Sequence, residues 1–135
     1  MANSLYDKGR QKFLDADIDW SADTIKAVLV DTGAYSVNIS THEFLSDIAG
    51  GARIATTSAF TSKTSTAGVA DADDPSFGNV SGVQSEAIVI YKDTGSAATS
   101  PLIAYIDTAT GLPVTPNGGV INIVFDNGSN KIFKL

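Results

Sequence analysis

Cysteine is absent from all 135 residues. That removes disulfide staples, thiolate metal sites and a cysteine nucleophile together. Histidine and tryptophan occur once each, as His42 and Trp20. Charge is sparse and one-sided: 18% of residues are charged, nine Lys and Arg against fifteen Asp and Glu, giving a formal net charge of -6 and a pI near 4.4. Such a chain is a poor ligand for phosphate backbones, because nucleic-acid affinity rests on clustered Lys and Arg. No apolar run approaches the roughly 18 residues that span a bilayer. The longest, Ala27–Val30 and Ala87–Tyr91, are strand-sized. The opening residues lack the basic-then-apolar pattern of a signal peptide, so the chain is expected to be made and used without translocation. No Gly-x-Ser-x-Gly elbow, Gly-x-Gly-x-x-Gly loop or Walker-type loop is present, and no cofactor is expected.

What is present is a globular composition. Hydrophobic residues make up 43%, well above the disordered range. A chain this long buries roughly 68–70% of its unfolded surface, enough for one core. The expectation is a single domain over residues 1–135, with 1–20 as an N-terminal arm or short helix.

Within that segment, Ser4 and Asp7 have capping-box spacing, and Tyr6, Arg10 and Phe13 fall at helical intervals. Gly9 costs such a helix about 1 kcal/mol relative to Ala. Thr24–Asp31 is apolar on both faces and is expected inside a sheet covered on each side. Ser40 with Glu43 forms a second capping box and predicts a two-turn helix that Gly50-Gly51 stops. Ala52–Thr57 reads as strand, Ser58–Ala67 as an exposed edge strand or hairpin rich in β-branched Thr, and Gly68–Pro75 as an acidic loop. Ser76–Val80 is a short strand, while Ser85–Lys92 and Leu102–Asp107 are central ones. Val120–Asp126 alternates, with Ile121, Ile123 and Phe125 on one face. Lys131–Leu135 is expected to pair back with it across a hairpin loop, placing Phe133 and Leu135 together. Seven to nine short strands with frequent turn signals predict a mainly β fold, an antiparallel β-sandwich of jelly-roll kind with one or two short helices.

Few residues invite chemistry. Asp15, Asp17 and Asp19 are spaced like the start of a calcium loop, but Trp20 stands where Gly is needed and Lys26 where a bidentate Glu is needed. Asp71, Asp73 and Asp74 read as a solvated acidic loop with oxygens able to meet a hard cation. His42 beside Glu43 has the makings of a general base, yet the capping box accounts for Glu43 and His42 is expected exposed. Tyr91 and Tyr105 fall in strong strands and are assigned to the core. Lys8, Arg10 and Lys12 form a small basic patch, too short for nucleic acid and better suited to a salt-bridged protein contact.

The strands themselves carry a resemblance. Leu5-Tyr6-Asp7-Lys8-Gly9-Arg10, Phe13-Leu14, Ile18-Asp19-Trp20 and Ile25–Asp31 look like the start of a group of small structural proteins of tailed bacteriophages. Ala87–Gly95, Leu102–Val114 and Lys131–Leu135 resemble the same group, so the likeness spans nearly the whole chain. The resemblance implies a non-enzymatic virion protein, a capsid decoration or cement protein that binds the outer shell and bridges major capsid subunits. It implies self-association on the capsid, synthesis in the host bacterial cytoplasm, and no nucleic-acid or membrane partner. The expected contact surface is the N-terminal segment: Leu5, Tyr6 and Phe13 for apolar area, Lys8 and Arg10 for polarity. Deleting residues 1–14 is then expected to leave a folded domain that no longer binds shells. Two other readings compete. A tail or head–tail joining protein would form a ring of fixed order. A carbohydrate-binding or adhesion module would need an exposed aromatic platform, for which Trp20 and Tyr35 are the candidates.

Overall fold

Ten strands and one α-helix form among residues 3–135, which the computed structural model describes. In chain order they are β1 (Ser4–Leu5), α1 (Asp7–Leu14), β2 (Ile25–Val30), β3 (Arg53–Thr56), β4 (Thr64–Thr66), β5 (Val69–Asp71), β6 (Ser76–Phe77), β7 (Ala87–Lys92), β8 (Leu102–Ile106), β9 (Ile121–Asn122) and β10 (Phe133–Lys134). Two single 3-10 turns, Leu45–Asp47 and Gly50–Ala52, interrupt the connection from β2 to β3. The fold is mainly β, and the paired strands run antiparallel.

The three longest apolar runs build the centre of a five-stranded sheet in the order β1-β8-β7-β2-β3. β2 and β7 stay in register from Ile25 opposite Lys92 to Val30 opposite Ala87. Strand alternation then sends neighbouring side chains into two separate cores. On one face Ile25, Ala27, Leu29, Ile88 and Ile90 pack with Phe60, Phe77, Ile123, Phe125 and Phe133. These partners come from or flank two small sheets, β10-β5-β4 and β6-β9. On the other face Val28, Val30, Val89 and Tyr105 are covered by Tyr6, Tyr35, Leu45 and Ile48. Being closed on both sides is why these strands read as continuous apolar runs instead of alternating. Each fully buried Ile or Val contributes about 1.5–3 kcal/mol, so Ile88, Ile90 and Val89, all at 0% exposure, hold the sheet between its two covers.

Several local expectations are corrected. Helix α1 forms, but Tyr6 is its N-cap and no side chain caps it, since Ser4 lies in β1 opposite Tyr105. The expected helix after Ser40 is a single 3-10 turn. There the Asp47 carboxylate accepts from the Glu43 and Phe44 N–H groups at 2.7 and 3.0 Å, and Asn38 Oδ1 accepts from those of Ser40 and Thr41. Side chains thus take the amides a helix would have used, the competition that makes Asn and Asp turn formers. The acidic stretch after Gly68 contributes a strand, β5, which pairs with the exposed β4. The last strand does not fold back on β9. β10 pairs with β5, Phe133 opposite Ala70, and buries Ile132 and Phe133 while Leu135 is 55% exposed.

Candidate partner interface

Helix α1 is laid directly on β8. Tyr6 N–H donates to Ile103 O at 2.9 Å and Asp7 N–H to Ile39 O at 2.9 Å, fixing the entry of the helix. Gly9 makes the close approach possible: a Cβ there would stand 2.5 Å from Leu102 O and 3.2 Å from Ile103 Cα. The helix-weakening glycine is therefore the condition of contact with the sheet. With Gly9 against β8, Phe13 one turn later meets Phe133 at a ring separation of 5.9 Å, which brings the first helix beside the last strand.

Between them runs a groove of about 300 Å3. Asn3, Ser4 and Leu5 line one wall and Lys131, Phe133 and Lys134 the other, with Arg10 and Asp126 also present. Both walls are sheet edges, since β1 borders only β8 and β10 borders only β5. Arg10 and Lys134 are exposed and Lys131 half-buried.

The expected contact residues divide accordingly. Leu5 and Tyr6 are 5% and 0% exposed, Leu5 in one core and Tyr6 in the other, and Phe13 packs half-buried against the first of these. Leu5 and Tyr6 bind the fold together and offer almost no free apolar area, while Phe13 keeps part of its ring exposed. The N-terminal segment is thus a part of the sheet and its cover, which argues against the expectation that residues 1–14 are dispensable for folding. Lys8 is half-buried and Arg10 exposed. Arg10 and the edge of Leu5 reach the groove.

Carboxylates close some of the cations and leave others open. Lys26 meets Asp93 at 2.7 Å, Lys92 meets Asp23 at 3.1 Å and Lys12 meets Glu43 at 3.1 Å, while Lys63 donates to the Asp23 carbonyl. The Lys26 ammonium and the Gly95 N–H hold the Asp93 carboxyl below its ordinary range. Burial works to raise the Asp23 carboxyl, but the Asp19 N–H and the Lys92 ammonium outweigh it and hold it low. Among the described residues, Arg10, Lys131 and Lys134 have no carboxylate within ion-pair distance.

The other candidates are absorbed by structure. His42 is half-buried. Its Nδ1 accepts from Asn38 N–H at 3.3 Å and sits 2.7 Å from the Tyr35 hydroxyl. That hydroxyl donates to it and in turn accepts from Tyr6, 2.9 Å away. Burial pushes the Tyr35 phenol up to about 12, against the opposing hydrogen bond from Tyr6, and burial with donation to Tyr35 pushes Tyr6 up as well. Two neutral phenols and an imidazole thus form a rivet under the loop before β3. Glu43 caps nothing and pairs with Lys12.

Tyr91 and Tyr105 lie in the core, at 3% and 4% exposure. Trp20, 6% exposed, donates from Nε1 to Thr64 O and Asp71 O, and Tyr35 is 4% exposed, so neither supplies a sugar-stacking platform. Asp19 accepts from the Ser21 and Ala22 amides, Asp73 from the Thr61 hydroxyl and Asp74 from Phe125 N–H. No group of three or more His, Cys, Asp or Glu among the described residues is placed to hold a metal ion, and no helix there is long and apolar enough to cross a membrane.

No protein-family model matches the chain, and no curated protein is significantly similar to it.

Proposed function

We propose that the chain is a structural protein of a tailed-phage virion, one that binds the outside of the capsid shell and bridges neighbouring major capsid subunits without catalysing a reaction. The observation that carries this reading is the groove between β1 and β10: three cations without carboxylate partners, between two free strand edges, on a chain that has an excess of carboxylates. A surface of that kind favours docking over chemistry. The likeness of the strands and turns to phage structural proteins along nearly the whole chain supports the same reading. So does charge: an acidic, Ser- and Thr-rich exterior suits the outside of a shell, whereas a protein lining packaged DNA gains from positive charge.

In this reading the five-stranded sheet and the two small sheets stack as an antiparallel sandwich of jelly-roll kind. Copies associate with one another on the capsid surface, having been made in the host cytoplasm, and neither nucleic acid, membrane nor cofactor takes part. The contact surface moves from the apolar side chains of the N-terminal segment to its edge and to Arg10, joined by Lys131 and Lys134. Particle mass after mixing with undecorated shells tests the proposal. Cement adds copies in proportion to shell area until the lattice is filled. Binding at one fixed ring of sites would replace it with a head–tail joining protein, and no binding at saturating protein would overturn a virion-shell role.

A further inference from the structure

We propose that the β1–β10 groove receives an extended acidic polypeptide segment, which adds to the central sheet as a strand along β1. The inference goes beyond the shell reading, because it names the chemistry of the occupant whichever protein supplies it. Its first support is backbone geometry. In an antiparallel ladder, alternate residues direct their N–H and C=O groups to opposite sides. Ser4 stands opposite Tyr105 and Tyr6 N–H donates to Ile103 O, so the Leu5 amide and carbonyl turn away from β8 on the side of the groove that Leu5 lines. The Leu5 carbonyl accepts from the Ser4 hydroxyl at 3.3 Å, a contact that an added strand's N–H would replace. Burial and side-chain hydrogen bonds fix this edge in place. The Leu5 side chain is buried. Asn3 Oδ1 accepts from the Asp107 and Thr108 N–H groups at 2.9 Å each, and Asn3 Nδ2 donates to Thr108 O at 3.0 Å. A preorganised edge loses little entropy when a strand is added, which is the basis of strand-addition recognition.

The second support is charge. Side chains two residues apart on an added strand lie on one face, roughly 6.6 Å apart. Carboxylates on that face would be offered Arg10, Lys131 and Lys134, three groove cations that have no carboxylate within ion-pair distance among the described residues. Lys8, Arg53 and Lys63 have none there either, but they lie outside the groove. Asp126 in the same groove opposes an unbroken run of acids and selects a neutral or basic residue beside it. A nucleic-acid strand fits less well. Sequence-independent binding of single strands relies on exposed aromatic faces, whereas Tyr105 and Phe133 in this groove are 4% and 9% exposed. A phosphodiester also has no amide to complete a ladder with Leu5.

The test is a titration of the full-length, isotopically labelled protein with a short synthetic peptide of alternating Glu and Val. We expect resonance shifts at Ser4, Leu5, Arg10 and Lys131–Lys134, slowed hydrogen exchange at the Leu5 amide, and no response to a Lys–Val peptide. The triple variant R10E/K131E/K134E should bind about tenfold more weakly or worse, while R10K/K131R/K134R retains binding. Shifts located elsewhere, or equal affinity in the charge-reversed variant, would overturn the proposal. An oligothymidylate of equal charge that shifts the same residues as strongly would reassign the groove to polyanions generally. Concentration-dependent shifts of these residues without peptide would make its occupant a second copy. Peptide binding by a protein that ignores undecorated shells would leave this inference standing and remove the shell reading.

Discussion

Two regions of the molecule treat their cations in opposite ways. Where β2 begins and β7 ends, Lys26 is closed by Asp93 and Lys92 by Asp23, and Lys92 also donates to Asp17 O at 2.7 Å. Along β1 and β10, Arg10, Lys131 and Lys134 surround a groove and meet no carboxylate. A chain with fifteen acidic residues does not lack anions to place there. The first region is complete in itself, while in the second the proposed acidic segment would supply the charge complement. Exposed ion pairs add only about 0–1 kcal/mol each, so the difference concerns recognition more than stability.

The strongest way to break the comparison is to remove the wall of the open region. Deleting residues 1–14 takes Leu5 and Tyr6 out of the two cores, each contributing about 1.5–3 kcal/mol, and uncovers the β8 edge. The loss approaches the whole stability of a typical domain. Thermal melts should show no cooperative transition, and a truncated chain that melts like the full one would contradict the fold described.

Gly9→Ala comes next. Helix propensity alone predicts a gain of about 1 kcal/mol, yet the added Cβ must displace the Leu102 carbonyl. We expect a net loss of about 1–3 kcal/mol in chemical denaturation, with weaker acidic-peptide binding because α1 carries Arg10. A stabilised variant would show that α1 does not rest on β8.

Charge substitutions sharpen the contrast between the regions. Lys26→Ala should cost up to about 1 kcal/mol, whereas R10E/K131E/K134E should change stability by less than about 0.5 kcal/mol while weakening peptide binding about tenfold or more. The carboxyls of Asp23 and Asp93 are held low in the folded state. Their contribution is therefore present above the unfolded Asp value near 3.9 and is lost as pH falls through the lower folded values. Lys26→Ala should flatten that acid limb, and an unchanged limb would contradict the pairing.

At the alkaline side the sign reverses. Tyr6 and Tyr35 have raised values in the folded protein, so their contribution is intact below the unfolded value near 10 and falls away as pH rises toward about 12, the folded value of Tyr35. Absorbance of ionised tyrosine should rise together with unfolding. Early ionisation of these two phenols in a folded protein would remove the rivet beneath the loop before β3.

What could be read in the sequence was what local pattern determines. β2, β7 and β8 announce themselves by apolar runs too long for a half-exposed strand, and the alternation of Ile121, Ile123 and Phe125 gives the buried side correctly, at 6%, 0% and 5% exposure. The second capping box misled because Asn38 and Asp47 outcompete a helix for the same amides, a contest that spacing does not rank. The partner of β10 was hidden for a different reason: a strand of two residues takes its register from tertiary packing, here Phe133 against Phe13 and Trp20. The groove was hidden for the same reason. Lys131 and Lys134 stand more than a hundred residues from Arg10, and only the docking of the last strand beside the first helix unites them. Their one trace in the sequence is a locally basic ending on an acidic chain. Arg10 stands out in the sequence through its patch with Lys8 and is exposed in the fold, whereas Leu5 and Tyr6 are buried, because periodicity shows a face without showing what covers it.

The most direct test of the account is the disruption temperature of undecorated capsid shells mixed with wild-type protein or with R10E/K131E/K134E. Stabilisation should follow mass action, since only the assembled shell presents the bound state. The account predicts that wild-type protein raises the disruption temperature in a saturable way and that the charge-reversed protein, equally folded, leaves it unchanged. Equal protection by both proteins, or by neither at saturation, would contradict it.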